Sequence, residues 1–111
     1  MHYLMTALRN SVQLIGRLSR DINLLHLSDG KPQAQTVLGT REIQYQENGE
    51  RRVELQYHQL VGLDRVADRM SCMLKRGSNI AVSGRLIHRT FGDAENPKYR
   101  TEVLVQEFMM I

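Results

Sequence analysis

The sequence predicts an all-β fold carrying one helix, and three observations point there. Apolar and polar residues alternate in five separate stretches. One stretch alone, residues 63–74, changes to a helical period. Turn-forming residues separate the stretches, with Asn48-Gly49 the strongest hairpin signal among them. A chain of 111 residues supports one domain with a modest core. Residues 1–9 read as an N-terminal extension and residues 10–111 as the domain.

The first strand covers Ser11 to Ser19, with Val12, Leu14, Gly16 and Leu18 on one face. Gly16 inside it marks a bulge or sharp bend, the device by which a small barrel turns a corner. Residues 21–32 contain Ser28-Asp-Gly-Lys-Pro32 and are expected to turn. The second and third strands, Ala34 to Ile43 and Arg51 to Val61, flank the Asn48-Gly49 turn and become antiparallel neighbours with a protruding tip. In the helix, Leu63, Val66, Ala67, Met70, Met73 and Leu74 share a face. Asp64 suits its N-terminus, and Lys75-Arg-Gly77 reads as its end, with Gly77 as the C-cap. The fourth strand, Asn79 to His88, places Ile80, Val82, Gly84 and Leu86 together. A loop, Phe91 to Pro97, leads to the fifth, Lys98 to Met109. Three strands, a helix and two strands make the five-stranded OB-fold, a partly open Greek-key barrel with its helix between strands 3 and 4.

Composition narrows the function classes. No apolar run approaches the roughly 18 residues that a membrane span needs. The N-terminal residues lack the order of a secretory signal, since their one basic residue, Arg9, follows the apolar stretch. A single cysteine, Cys72, excludes an intramolecular disulfide framework and implies a reduced, cytoplasmic setting. Net charge is only +3, but twelve of the fifteen basic residues are arginines. Arginine stacks on planar groups and grips phosphate bidentately, which lysine does not.

Enzymatic chemistry finds no support, and neither a metal nor a cofactor is expected. The histidines, His2, His26, His58 and His88, are scattered, and no glycine-rich phosphate loop follows a strand. Cys72 lies beside the apolar stripe of the helix and reads as a packed or inert thiol. Single-strand binders combine a cationic groove with aromatic faces for bases, and here aromatics and arginines interleave. Tyr45, in the hairpin loop, has Arg41 before it and Arg51 and Arg52 after it; Tyr57 is mid-strand; Arg89-Thr-Phe91 and Tyr99-Arg100 bracket the last loop. Tyr57 is open between core packing and stacking. Phe108 reads as packing, and Arg65 and Arg69 as solvated partners of Asp64 and Asp68.

Several short motifs in register resemble the bacterial single-stranded DNA-binding proteins. Asn10-Ser-Val-Gln-Leu-Ile-Gly-Arg-Leu18 is similar to the family's opening N-x-V-x-L-I-G-x-L strand, and Tyr57-His58 stands where Trp-His is usual. Leu74-Lys-Arg-Gly-Ser78, Ile80-Ala-Val-Ser-Gly-Arg-Leu86 and Tyr99-Arg-Thr-Glu-Val103 resemble the segments that follow, so the likeness spans about residues 10–108. It implies an OB-fold homotetramer that binds and protects single-stranded DNA in replication, recombination or repair with little regard to sequence. By the same resemblance Tyr57, Phe91 and Tyr45 inherit stacking roles; Arg76, Arg89, Arg17 and Arg65 inherit phosphate roles; and His58 belongs near a subunit interface. Two departures stand out. Without tryptophan, stacking falls to smaller rings, and the sequence stops at Met109-Met-Ile111, so partner recruitment through an acidic tail is not expected. A primosomal-type OB protein, serving mainly to hold a protein partner, is the alternative reading; an interaction subunit that has lost DNA binding, or an RNA binder, also fits the residues.

Overall fold

The computed structural model describes residues 8–111; most of the expected N-terminal extension, 1–9, therefore lies outside the described residues. The strands are β1 (Val12–Leu18), β2 (Asn23–His26), β3 (Pro32–Tyr45), β4 (Arg51–Leu63), β5 (Asn79–Gly92) and β6 (Pro97–Met110), and a helix, α1 (Asp64–Met73), lies between β4 and β5. The sheet order is β1-β5-β6-β4-β3-β2, and β1 pairs a second time with β3. Five strands thus close an OB-fold barrel, and β2 hangs on its outer edge. β2 is an addition to the expected strands: Asn-Leu-Leu-His neither alternates nor carries a β-branched residue, so its pattern is silent.

β1 closes the barrel by changing partner. Val12–Arg17 pair with β5 without interruption, and Arg17 and Leu18 then pair with Gly39 and Leu38 of β3. Gly16 is therefore no bulge. It is a point of close approach, where a Cβ would stand 2.1 Å from the Gly39 carbonyl oxygen. The bulge lies between β5 and β6 instead: Ser83 faces Glu107 and Gly84 faces Val105, leaving Gln106 as the extra residue. The slip reverses the inward parity of β6, which is why Val103 and Val105 are buried but so is Phe108.

The core joins Leu18, Leu38, Leu60, Ile80, Val82, Val103, Val105 and Phe108 of the barrel to Ala67, Met70 and Leu74 of the helix segment. Gly62 makes room for the helix, since a Cβ there would lie 2.5 Å from the Met70 sulfur. Several expectations are corrected here. Leu63, Met73 and Leu86 are exposed, because the helix stripe and the inward face of β5 each end short of them. Cys72 is exposed as well. Leu60 is part of the core. Chain passes from β4 into α1 with no loop, through Asp64 at φ 55, a left-handed conformation that Asp tolerates better than most residues. The helix ends at Leu74 in extended backbone, so Gly77 (φ 93) does not cap it and belongs to the following Lys75–Ser78 turn.

Candidate nucleic-acid interface

The β3–β4 hairpin extends past the barrel as an arm whose register decides which side chains share a face. Gly39, Arg41, Ile43 and Tyr45 lie opposite Tyr57, Leu55, Val53 and Arg51. Cross-strand partners project from the same side of a sheet, so one face of the arm carries two tyrosines, three aliphatic residues and two arginines. The opposite face carries Thr40, Glu42, Gln44, Arg52, Glu54, Gln56 and His58. Arg52 thus points away from Tyr45 and Arg51. Tyr45 is the last residue of β3, not part of the loop, and Phe91 likewise lies within β5, opposite Lys98.

At the root of this face a groove of about 430 Å³ is lined by Arg17, Gly39, Arg41, Leu55, Tyr57 and Arg76, among others. Tyr57 is 60% exposed, which settles it against core packing; Tyr45 is 76% exposed. Where a Cβ would stand on Gly39, the Tyr57 ring is 3.4 Å away, so the ring lies across the β3 backbone at that point. The Lys75–Ser78 turn is tied down on two sides, by Gly77 N–H donating to the Leu18 carbonyl (2.8 Å) and Arg76 N–H donating to Asp21 Oδ1 (2.9 Å). Those bonds hold the Arg76 backbone beside β1, near Arg17. In sequence Arg41 is a neighbour of Tyr45; the register is what brings it to Tyr57.

A second cavity, of about 350 Å³, is lined by Gln33, Gln35, Arg89, Phe91, Arg100 and Glu102. Gln33, Gln35 and Gly39 alternate along β3 on its outer face. Gln35 of this cavity and Gly39 of the first are four residues apart, about 13 Å along the same strand face. Arg89 forms an ion pair with Glu102, and the Arg100 guanidinium stacks over Phe91, 4.9 Å from the ring centroid.

Among the described residues, Arg89–Glu102 is the only ion pair within 4.0 Å. Arg17, Arg41, Arg51, Arg76 and Arg100 therefore present their charge without a carboxylate partner. Arg65 and Arg69 do not pair with Asp64 or Asp68 either; Arg69 lies over the Phe108 ring, 5.1 Å from its centroid. Arg65 is exposed on α1, away from both cavities' linings. His58 is half-buried and hydrogen-bonded through Nε2 to Thr40 Oγ1 at 2.8 Å. No group of three or more metal-ligating side chains occurs among the described residues, and none of their helices is long and apolar enough to cross a membrane.

Known proteins share this framework. The chain is 31% identical over 104 residues to "Single-stranded DNA-binding protein 1" of Xylella fastidiosa, covering 92% of this chain and 76% of that protein. It is 30% identical over 103 residues to the "Single-stranded DNA-binding protein" of Streptococcus pneumoniae, again over 92% of this chain but 65% of that protein, so it spans less than two thirds of that relative. Among solved structures, a Plasmodium falciparum SSB complex with ssDNA superposes with a TM-score of 0.81 at 24% identity, covering 92% and 94% of the two chains. A deletion mutant of the Thermus aquaticus single-stranded DNA binding protein gives 0.81 at 25%, covering 92% of this chain and 50% of that one. The model of the single-strand binding protein family matches residues 9–111, and with the barrel, its helix and its register in place the chain belongs to that family.

Proposed function

We propose that this protein binds single-stranded DNA with little sequence preference, by phosphate contacts from arginine and base stacking on tyrosine and phenylalanine. The observation that carries it is the outer face of β3 and β4, where exposed aromatics stand among arginines that lack carboxylate partners. Arg17, Arg41 and Arg76 surround Tyr57 in the groove, while Arg51 and Tyr45 continue the track along the arm. At the other end Phe91 and Arg100 offer a second stacking place. Stacking is sequence-tolerant because every base has a π face. Arg52 points to the opposite side and Arg65 lies off the track, so neither takes part. The binding unit is the OB domain over residues 10–111, it performs no catalysis, and with Cys72 a free thiol it suits a reducing cytoplasm. Names of the matched relatives support DNA as the partner over RNA.

The chain assembles with copies of itself, as a tetramer in this reading. Over Val12–Ile15, β1 pairs with β5 alone, leaving its other edge unpaired in the sheet. A surface cavity of about 730 Å³ lies on β1, β5 and β6, shares no lining residue with the arginine-lined groove, and is lined by Ile15, Ala81, Phe108 and Met109 among others. Ile15 and Met109 are 69% and 66% exposed, an apolar patch of the kind that subunit contacts cover. His58 takes its place at a subunit interface in this assembly.

Anisotropy titration of a labelled oligo(dT) of about 35 nucleotides, at several salt concentrations, tests the function. Expected is tight binding that weakens steeply with salt and that duplex DNA does not compete away. No binding at low salt, or binding indifferent to salt, would overturn the reading.

A further inference from the structure

We infer that Glu102 is a positioning residue that withdraws Arg89 from DNA and leaves Arg100, stacked on Phe91, as the free arginine of that end, beside Lys98. The inference rests on the single-strand reading above. Arg89 and Arg100 are directly opposite partners in the β5–β6 ladder, a placement in which like charges repel. Two different neighbours relieve it. Glu102 is only 2% exposed, and its carboxylate accepts from Arg89 Nε and Nη2. Arg100 turns instead onto the Phe91 ring.

Gln33 completes the restraint on Arg89. With its amide oxygen turned toward the surrounding donors, it accepts from Gln35 Nε2 at 2.8 Å and from Arg89 Nη1 and Nη2 at 3.2 and 3.0 Å. Every nitrogen of the Arg89 guanidinium is then engaged within the protein, and its charge is matched by a buried carboxylate. A group so held ties the root of the β5–β6 hairpin to β3. It adds almost no net field toward a phosphate. Arg100 is exposed, carries no carboxylate partner and has its planar face on an aromatic ring. That arrangement suits a nucleotide whose base stacks beside Phe91 while its phosphate meets the guanidinium.

Salt dependence of oligo(dT) binding separates the two arginines. Each phosphate contact to a single strand contributes about 0.7 to the slope of log K against log salt. R100Q, at an exposed position, is expected to fold normally and to lower the slope by about 0.7. The double variant R89Q/E102Q, which keeps amide-to-amide hydrogen bonding, is expected to keep the unaltered slope. E102Q alone frees the Arg89 charge, so binding tightens and the slope steepens, a gain that structural damage does not produce. Thermal melts accompany each variant; if E102Q does not fold, R100Q and the double variant decide. A slope lowered by R89Q/E102Q and unmoved by R100Q overturns the assignment while leaving single-strand binding intact. Failure of the unaltered chain to bind at low salt overturns the single-strand reading itself, and this assignment with it.

Discussion

Gly16 and Gly84 stand where one methyl group would strike a carbonyl oxygen, of Gly39 and of Leu104 respectively, each at 2.1 Å. Backbone cannot swing aside as a side chain can, so G16A and G84A are each expected to cost at least about 2 kcal/mol. Chemical denaturation would measure it. On the binding face, Y57A should weaken oligo(dT) binding by about 1–3 kcal/mol, the stacking contribution of one base. A titration at fixed salt checks this, with an unchanged melting temperature showing that the exposed ring was not structural. Single residues differ in how much the sequence told of them. Tyr57 could be named because a ring interleaved with arginines is chemically distinctive. Its exposure could not, because the same alternation serves core or surface. Glu102 was invisible for the opposite reason. Alternation past Val103 and Val105 assigns it to the outer face, where a carboxylate is expected to be solvated. Its burial is created by Gln33 and Arg89, which arrive from other strands.

Both tight hairpins are built on the same three-residue turn with glycine in the left-handed region. Leu27 N–H donates to Lys31 O around Ser28-Asp29-Gly30 (φ 82), and Gln46 N–H to Glu50 O around Glu47-Asn48-Gly49 (φ 83). The second of these fixes the chemistry of the arm. A two-residue Asn48-Gly49 turn would set Tyr45 opposite Arg52; the three-residue turn sets it opposite Arg51. One residue of register exchanges the faces of the arm. Sequence reading had both arginines beside Tyr45 because Asn-Gly announces a hairpin without saying which kind. R51Q is therefore expected to lower the salt slope by about 0.7. R52Q, on the other face, is expected to leave it unmoved, and equal effects would contradict the register as a guide to binding. The remaining elements were legible to within a few residues. β2 escaped for lack of pattern, and the helix end was misplaced because a Lys-Arg-Gly sequence serves a turn between elements as well as a C-cap.

Across the whole molecule, the arginine-lined groove and the apolar patch share no lining residue, although β1 contributes Arg17 to one and Ile15 to the other. Assembly and binding can therefore be perturbed separately. I15E and M109E should shift the protein toward monomer in sedimentation analysis, while the folded content seen by circular dichroism is retained. The barrel as a class was readable from the order of strands and helix; the proposed assembly is not readable from the pattern, since an exposed Ile15 and an inward Leu14 alternate identically in either state. Barrel closure bears also on the order of folding. β4 and β6 meet in parallel through only two residue pairs, Leu60 with Val103 and Val61 with Leu104. The β3–β4 and β5–β6 ladders each join residues near in sequence, so their loops close at small entropic cost. The parallel seam joins residues 60 and 103 and has little to gain until both hairpins exist. V103A, which thins that seam, should accordingly speed unfolding in stopped-flow experiments while leaving the folding rate nearly unchanged. The two hairpins would then be independent early units of this chain, and the joint between them would form only after both.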